Sequence, residues 1–214
     1  KSRYRNCKTK KRAVMRLFKI ISIILHPIFM PIATIYISLA LFPNIGFAIS
    51  KNLNFIYLIL FFSTIFIPLI SVLFLIKVNL VSSLEMSDYN ERFFPLLITT
   101  VSMFTGYYIL EGILILSFLL RDIMMGAIII VFISSIISKY WKISLHMLGV
   151  GGMVGVMFSL NFLYGEIMNI LIIFILISGL LGVARIKEKA HNNLQVYIGF
   201  LTGFFVEFYF VLMF

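Results

Sequence analysis

Lys142-Ile143-Ser144-Leu145-His146 sets a hydroxyl and an imidazole two residues apart where a long apolar run begins. The start of a helix offers backbone N–H groups without intrahelical partners and the positive end of the helix dipole, a natural seat for an anion. The same residues also have a plain structural reading. Ser144 would be a cap, His146 an interfacial anchor, and Gly149, Gly151, Gly152 and Gly155 small residues that let helices approach closely. Locally, both readings stand. A second polar stretch carries Arg185 and His191, with Gln195 four residues beyond the histidine. Arginine can clamp phosphate oxygens bidentately, and histidine can serve as nucleophile or as acid and base. A basic turn between helices would look the same. A third stretch, from Glu85 through Asp88, Glu91 and Arg92 to Pro95, mixes acids with one arginine and reads equally as a solvated connector. Pro95 falls in a first-turn position that tolerates proline.

The elements that must position these groups are apolar. Hydrophobic residues make up 62% of the chain and charged residues 12%, too few charges to coat a water-facing surface. Apolar stretches near Leu17–Phe42, Leu53–Ile76, Phe93–Leu120, Ile123–Ile137, Ile143–Leu163, Ile167–Val183 and Val196–Phe214 approach the ~20 residues that a helix needs to cross the hydrocarbon. No in/out alternation is present, which excludes a closed β-barrel and leaves helices. The expected fold is all-α, a polytopic transmembrane bundle of six to seven spans. Residues 1–16 form a basic tail and 17–214 a single membrane domain. The Ile123–Ile137 run is the shortest and is expected to be tilted or re-entrant. The first run is too long for a cleavable leader. Cys7 is the single cysteine, so no intrachain disulfide forms.

Half of the 18 Lys and Arg lie between Lys1 and Lys19. Beside a membrane helix, such a tail is expected to stay in the cytoplasm and meet anionic lipid headgroups rather than nucleic acid. The loops near Lys77–Arg92, Ser138–Lys142 and Arg185–Asn193 would then share the cytoplasmic side of an integral membrane protein, expected in a bacterial inner membrane. Two helices separate each of these loops from the next, so they share one face whichever way the bundle is oriented.

Taken together, the three stretches resemble the type 2 phosphatidic acid phosphatase superfamily, which includes vanadium haloperoxidases and undecaprenyl-pyrophosphate phosphatases. Its signatures are Lys-x6-Arg-Pro, Pro-Ser-Gly-His and Ser-Arg-x5-His-x3-Asp. Here the third stands as Ala184-Arg185, five residues, His191, three residues, Gln195, and the second as Ile143-Ser144-Leu145-His146. The first survives as Arg92 with Pro95 displaced by two residues. The resemblance covers roughly Glu85 to Gly203, and the first two helices carry none of it. It implies a metal-independent membrane lipid phosphatase that needs no cofactor. His191 would attack phosphorus and form a phospho-histidine, and His146 would protonate the leaving group. Arg92, Arg185 and Ser144 would cradle the equatorial oxygens, and Gln195 would orient His191.

Four departures bear on activity. Glu85 stands where the family has lysine, leaving Lys142 to supply that charge. Ala184 lacks a hydroxyl, Leu145 replaces a glycine, and Gln195 replaces an aspartate. An amide fixes a tautomer but does not stabilise imidazolium as a charge does, and losing the acid of an analogous triad costs ~10⁴ in rate. A catalytically inactive relative, acting as a lipid-binding or accessory subunit of a membrane complex, is therefore the alternative. A third reading is a transporter or channel built on Glu111 or Glu207, acids within apolar runs. His26-Pro27 and Pro31 read as a kink in the first helix, and Gly199 and Gly203 as packing residues.

Overall fold

The computed structural model describes residues 14–84, 86, 88–115 and 117–213. Cys7, most of the basic tail and Glu85 lie outside the described residues. Seven helices are long and apolar enough to span a bilayer: α1 Val14–Leu41, α2 Phe47–Lys77, α3 Asn90–Leu114, α4 Phe118–Ile137, α5 Leu145–Tyr164, α6 Met168–Lys187 and α7 Asn193–Met213. No strand occurs among the described residues. Large apolar side chains, among them Leu73, Phe104, Leu176 and Phe205, are exposed around the outside. A surface this apolar belongs against lipid. The chain is an all-helical integral membrane protein.

α4 corrects the sequence reading. It runs for 20 residues from Phe118 to Ile137, a full span in place of a short or re-entrant one. The break before it falls at a lone serine in an apolar stretch. The break comes from an extended Ser117, with φ −144° and ψ 88°. Arg121 and Asp122 are tolerated in the first turns because they pair at 2.9 Å and the guanidinium lies 5.0 Å from the Phe118 ring. Glu111, read as an acid inside an apolar run, is exposed near the end of α3.

Two helices are irregular for reasons visible in the chain. α1 breaks at His26, passes through a 3₁₀ turn over Pro27–Phe29 and resumes at Met30, because proline offers no N–H to the preceding turn. In α2 the turn widens to a π-helix over Phe62–Phe66, just before Pro68. In that register the donor to the Ser63 carbonyl would be the nitrogen of Pro68, which carries no hydrogen. Ser102 of α3 supplies it instead, with its Oγ 2.9 Å from Ser63 O. Gly106 leaves room for this approach, since a Cβ there would lie 2.7 Å from Ser63 Oγ.

α5 is the central helix, with most of its residues buried. Its main partner is α7, and α4 and α6 pack beside the pair. The α5–α7 contact is backbone on backbone. A Cβ on Gly151 would overlap the carbonyl of Phe200, and one on Gly203 the carbonyl of Leu148. A Cβ on Gly155 would come within 2.5 Å of Phe204 O, and one on Gly199 within 2.8 Å of Ser144 O. Lipid tails are as apolar as leucine, so association in a membrane depends on such close fit. α5 ends at Gly165, whose φ of 78° is the left-handed cap conformation.

Replacing Gly203 with leucine should therefore force α5 and α7 apart and destabilise the fold by ~1–3 kcal/mol or more. Gly179 of α6 faces open space and is the control. Thermal unfolding in detergent should show a lowered Tm for Gly203→Leu and none for Gly179→Leu. Equal Tm values would contradict the packing account.

Candidate functional site

The spacing of Arg185, His191 and Gln195 follows from how α6 ends and α7 begins. Lys189 adopts the left-handed conformation with φ 57°. Its N–H bonds to Ile186 O at 3.0 Å, and that of Ala190 bonds to Arg185 O at 3.1 Å. This pair of bonds is a Schellman motif, which turns the chain back on the last helical turn. Asn192 then opens α7 with a capping box. Its Oδ1 accepts from Gln195 N at 2.9 Å, and its own N–H donates to Gln195 Oε1 at 3.1 Å. The five residues between Arg185 and His191 are thus one helix stop followed directly by one helix start.

The capping box also fixes the chemistry of His191. A backbone N–H needs an acceptor, so the atom it meets on Gln195 is the oxygen. His191 Nδ1 lies 3.1 Å from that same oxygen and must donate to it. Nε2 is left with the lone pair. His191 is only 8% exposed. Burial first, then the charge of Arg185, push its imidazole down to about 4, against the opposing hydrogen bond to Gln195. Arg92 and Lys142 act in the same direction as Arg185. At neutral pH the ring is uncharged and its free nitrogen nucleophilic.

Arg92 is 6% exposed and held by two backbone carbonyls, Met86 O at 3.0 Å from Nε and Ile143 O at 3.3 Å from Nη1. It thereby ties the second loop to the fourth. Lys139 of the fourth loop adds a cation–π contact, its Nζ 3.7 Å from the Phe93 ring centroid. Burial, followed by the charges of Arg92 and Arg185, lowers the Lys142 ammonium, while Asp88 opposes the shift. Lys142 therefore shares its electrostatic surroundings with both arginines and His191.

Ser144 occupies the N-cap position of α5, but its side chain makes no capping bond. It is completely buried, and its Oγ meets no hydrogen-bond partner among the described residues. The plain reading of Ser144 as a cap is thus not what the structure contains. A buried hydroxyl without a partner costs ~1–3 kcal/mol. Its neighbour His146 donates Nε2–H to Ser22 O at 3.1 Å, and it interacts electrostatically with Arg185, His26 and His191.

The structure thus gathers Arg92, Lys142, Ser144, His146, Arg185, His191 and Gln195 at one end of the bundle. Two further residues escaped the sequence reading, and a third, His26, entered it only as part of a kink. Ser22 Oγ donates to Glu188 Oε2 at 3.1 Å, and Arg185 Nη1 donates to the same oxygen at 2.8 Å. The His26 ring lies edge-on to His146, with centroids 5.3 Å apart. All three histidines of the chain therefore take part in this region. The signals were present. Ser22 and His26 are four apart on α1, and Arg185 and Glu188 three apart on α6, spacings that share a helix face. Among the described residues, no three His, Cys, Asp or Glu side chains gather as metal ligands.

Chemically, the region combines three cations, an unpartnered hydroxyl at a helix start and a neutral histidine with a free Nε2. It is suited to an oxyanion. Neither a family model, nor a curated protein, nor a solved structure matches the chain.

Nitrogen NMR of ring-labelled histidine should find His191 as the Nδ1–H tautomer at neutral pH, titrating near pH 4. Below that midpoint the ring is charged and its nucleophilicity lost. Arg185→Gln removes a depressing charge and should move the midpoint upward. A wild-type midpoint at the ordinary 6.5 would contradict the buried, cation-flanked placement.

Proposed function

We propose that this protein is a membrane-embedded lipid phosphatase of the type 2 phosphatidic acid phosphatase kind. It would hydrolyse the phosphomonoester or pyrophosphate of a phospholipid or polyprenyl lipid without a metal. The observations that carry the reading are the buried, unpartnered Ser144 hydroxyl at the start of α5 and, at the same end of the bundle, a neutral His191 under the influence of Arg92, Lys142 and Arg185. A phosphoryl group supplies the acceptors that such a set lacks. Phosphoryl transfer depends mainly on positioning and charge stabilisation, which these residues offer.

In this reading His191 Nε2 attacks phosphorus as the bond to the leaving oxygen breaks, giving a phospho-histidine. His146 in its imidazolium form gives its proton to that oxygen. Water then attacks the phospho-histidine, His146 takes the water's proton, and inorganic phosphate leaves. Arg92, Arg185, Lys142 and the Ser144 hydroxyl hold the equatorial oxygens, and Gln195 keeps Nδ1–H in place throughout. For the first step the leaving oxygen must displace the Ser22 carbonyl from His146 Nε2. The lipid character of the substrate follows from the site's place at one end of a membrane bundle. Retention of the N-terminus in the cytoplasm and a bacterial inner membrane remain part of this proposal, as does contact of the tail with anionic headgroups.

One observation favours the second reading, an inactive lipid-binding or accessory subunit. Glu188 already meets Arg185, and Ser22 O already holds His146. Together with Gln195 in place of an acid, this describes a site closed on itself.

Phosphate release from phosphatidic acid, phosphatidylglycerophosphate and undecaprenyl pyrophosphate by the purified protein decides between the two. Turnover abolished in His191→Ala and lowered ~10²–10⁴-fold in His146→Ala is expected of the phosphatase. Gln195→Asp should raise the rate. Equal turnover in His191→Ala would refute the mechanism. No turnover on any of the three lipids, together with stable co-purifying partners, would establish the subunit reading.

A further inference from the structure

A cavity of about 290 Å³ lies between α1, α2, α3, α4 and α5 and is lined, near the site, by His26, Met86 and Leu145. Its wall is apolar apart from six side chains. Four are hydroxyls, and each already donates to a carbonyl of its own helix. Thr34 donates to Met30 O and Thr64 to Leu60 O, both at 2.8 Å. Thr99 donates to Pro95 O at 2.8 Å and Ser134 to Val131 O at 2.7 Å. A hydroxyl has one hydrogen, so these four can offer a ligand only lone pairs. The fifth is Glu207 of α7, 3% exposed, whose Oε2 meets no donor among the described residues. The sixth is His26, whose Nδ1 accepts from Ile28 N at 3.3 Å.

Glu207 is accommodated by design of the backbone. A Cβ on Gly126 of α4 would overlap its Oε2, and one on Gly152 of α5 would lie 3.2 Å from its Cγ. Among the described residues, no Lys or Arg lines the cavity. An acid at this depth is therefore held without a cation of the protein's own, an arrangement that is costly in hydrocarbon and marks a ligand site.

We infer that the cavity is a binding site for a long-chain amine, with the alkyl body against the apolar wall and the ammonium on Glu207. An ammonium consists of donors only, the complement of a wall whose inner polar groups are acceptors. Its charge supplies the partner that Glu207 lacks. The inference stands apart from the phosphatase reading and uses none of its residues.

Photoaffinity labelling tests it. The full chain in phosphatidylcholine nanodiscs is exposed to an octadecylamine bearing a diazirine on its chain, and labelled peptides are mapped by mass spectrometry. Label is expected on the cavity-lining parts of α1, α4 and α5, displaced by unmodified octadecylamine at concentrations about tenfold below those needed for octadecanol. Glu207→Gln should reduce the cavity label about tenfold. Ala127→Phe, which fills the cavity and leaves Glu207 in place, should abolish it while helix content by circular dichroism stays unchanged. Equal displacement by alcohol and amine, undiminished cavity label in both variants, or label confined to the lipid-facing surface would overturn the inference. Phosphate release in the same preparation, whether present or absent, leaves this result unaffected.

Discussion

Backbone contact between α5 and α7 is the constraint from which the polar end of the molecule follows. Gly151, Gly155, Gly199 and Gly203 bring the two main chains so close that carbonyls occupy the space where Cβ atoms would stand. α5 begins with Ser144 and His146, and α7 begins just after His191. Gly199 lies against the carbonyl of Ser144 itself, so the contact extends to the very start of α5. A wider crossing would separate the helix start from the histidine. Because two helices intervene between successive polar loops, the bundle also delivers Arg92 to the same end, where it bonds across to Ile143 O.

Electrostatics then shape what the gathered residues can do. Arg92, Lys142 and Arg185 face Glu188 and Asp88, and His191 remains neutral because burial and the three cations disfavour its charged form. His191 is thus kept neutral by the same cations that would attract an oxyanion. α1 closes over this arrangement through Ser22 and His26. The link runs from His146 through the Ser22 backbone, and from Ser22 Oγ through Glu188 to Arg185. A ligand must compete with Glu188 for Arg185 and with a carbonyl for His146.

The spans were legible because hydrophobic length alone demands them, and the three polar loops because same-side placement follows from counting helices. The glycines were legible as packing residues, though not which carbonyls they would meet. The start of α4 was not, since its break depends on one extended serine inside an apolar stretch. The role of Ser144 could not be read either, because an N-cap serine that caps and one that does not are identical in sequence. Ser22, Glu188 and the part that His26 plays here were missed for another reason. Their spacings mark shared helix faces, but only the packing of α1 on the end of α5 shows that those faces meet at this site. Arg-x5-His-x3-Gln was visible as a spacing, but that it encodes a Schellman stop and a capping box emerged only from the hydrogen bonds.

If packing α5 on α7 builds an oxyanion site, that site must take up an anion shaped like a phosphoryl group. A structure of the protein bound to orthovanadate tests this most directly, because vanadate adopts the geometry of a phosphoryl group in transfer whether or not the site turns over. Vanadium is expected within bonding distance of His191 Nε2, with its oxygens on Ser144 Oγ, Arg92 and Arg185. Vanadate bound elsewhere, or the same residues left without it at saturating concentration, would contradict the claim.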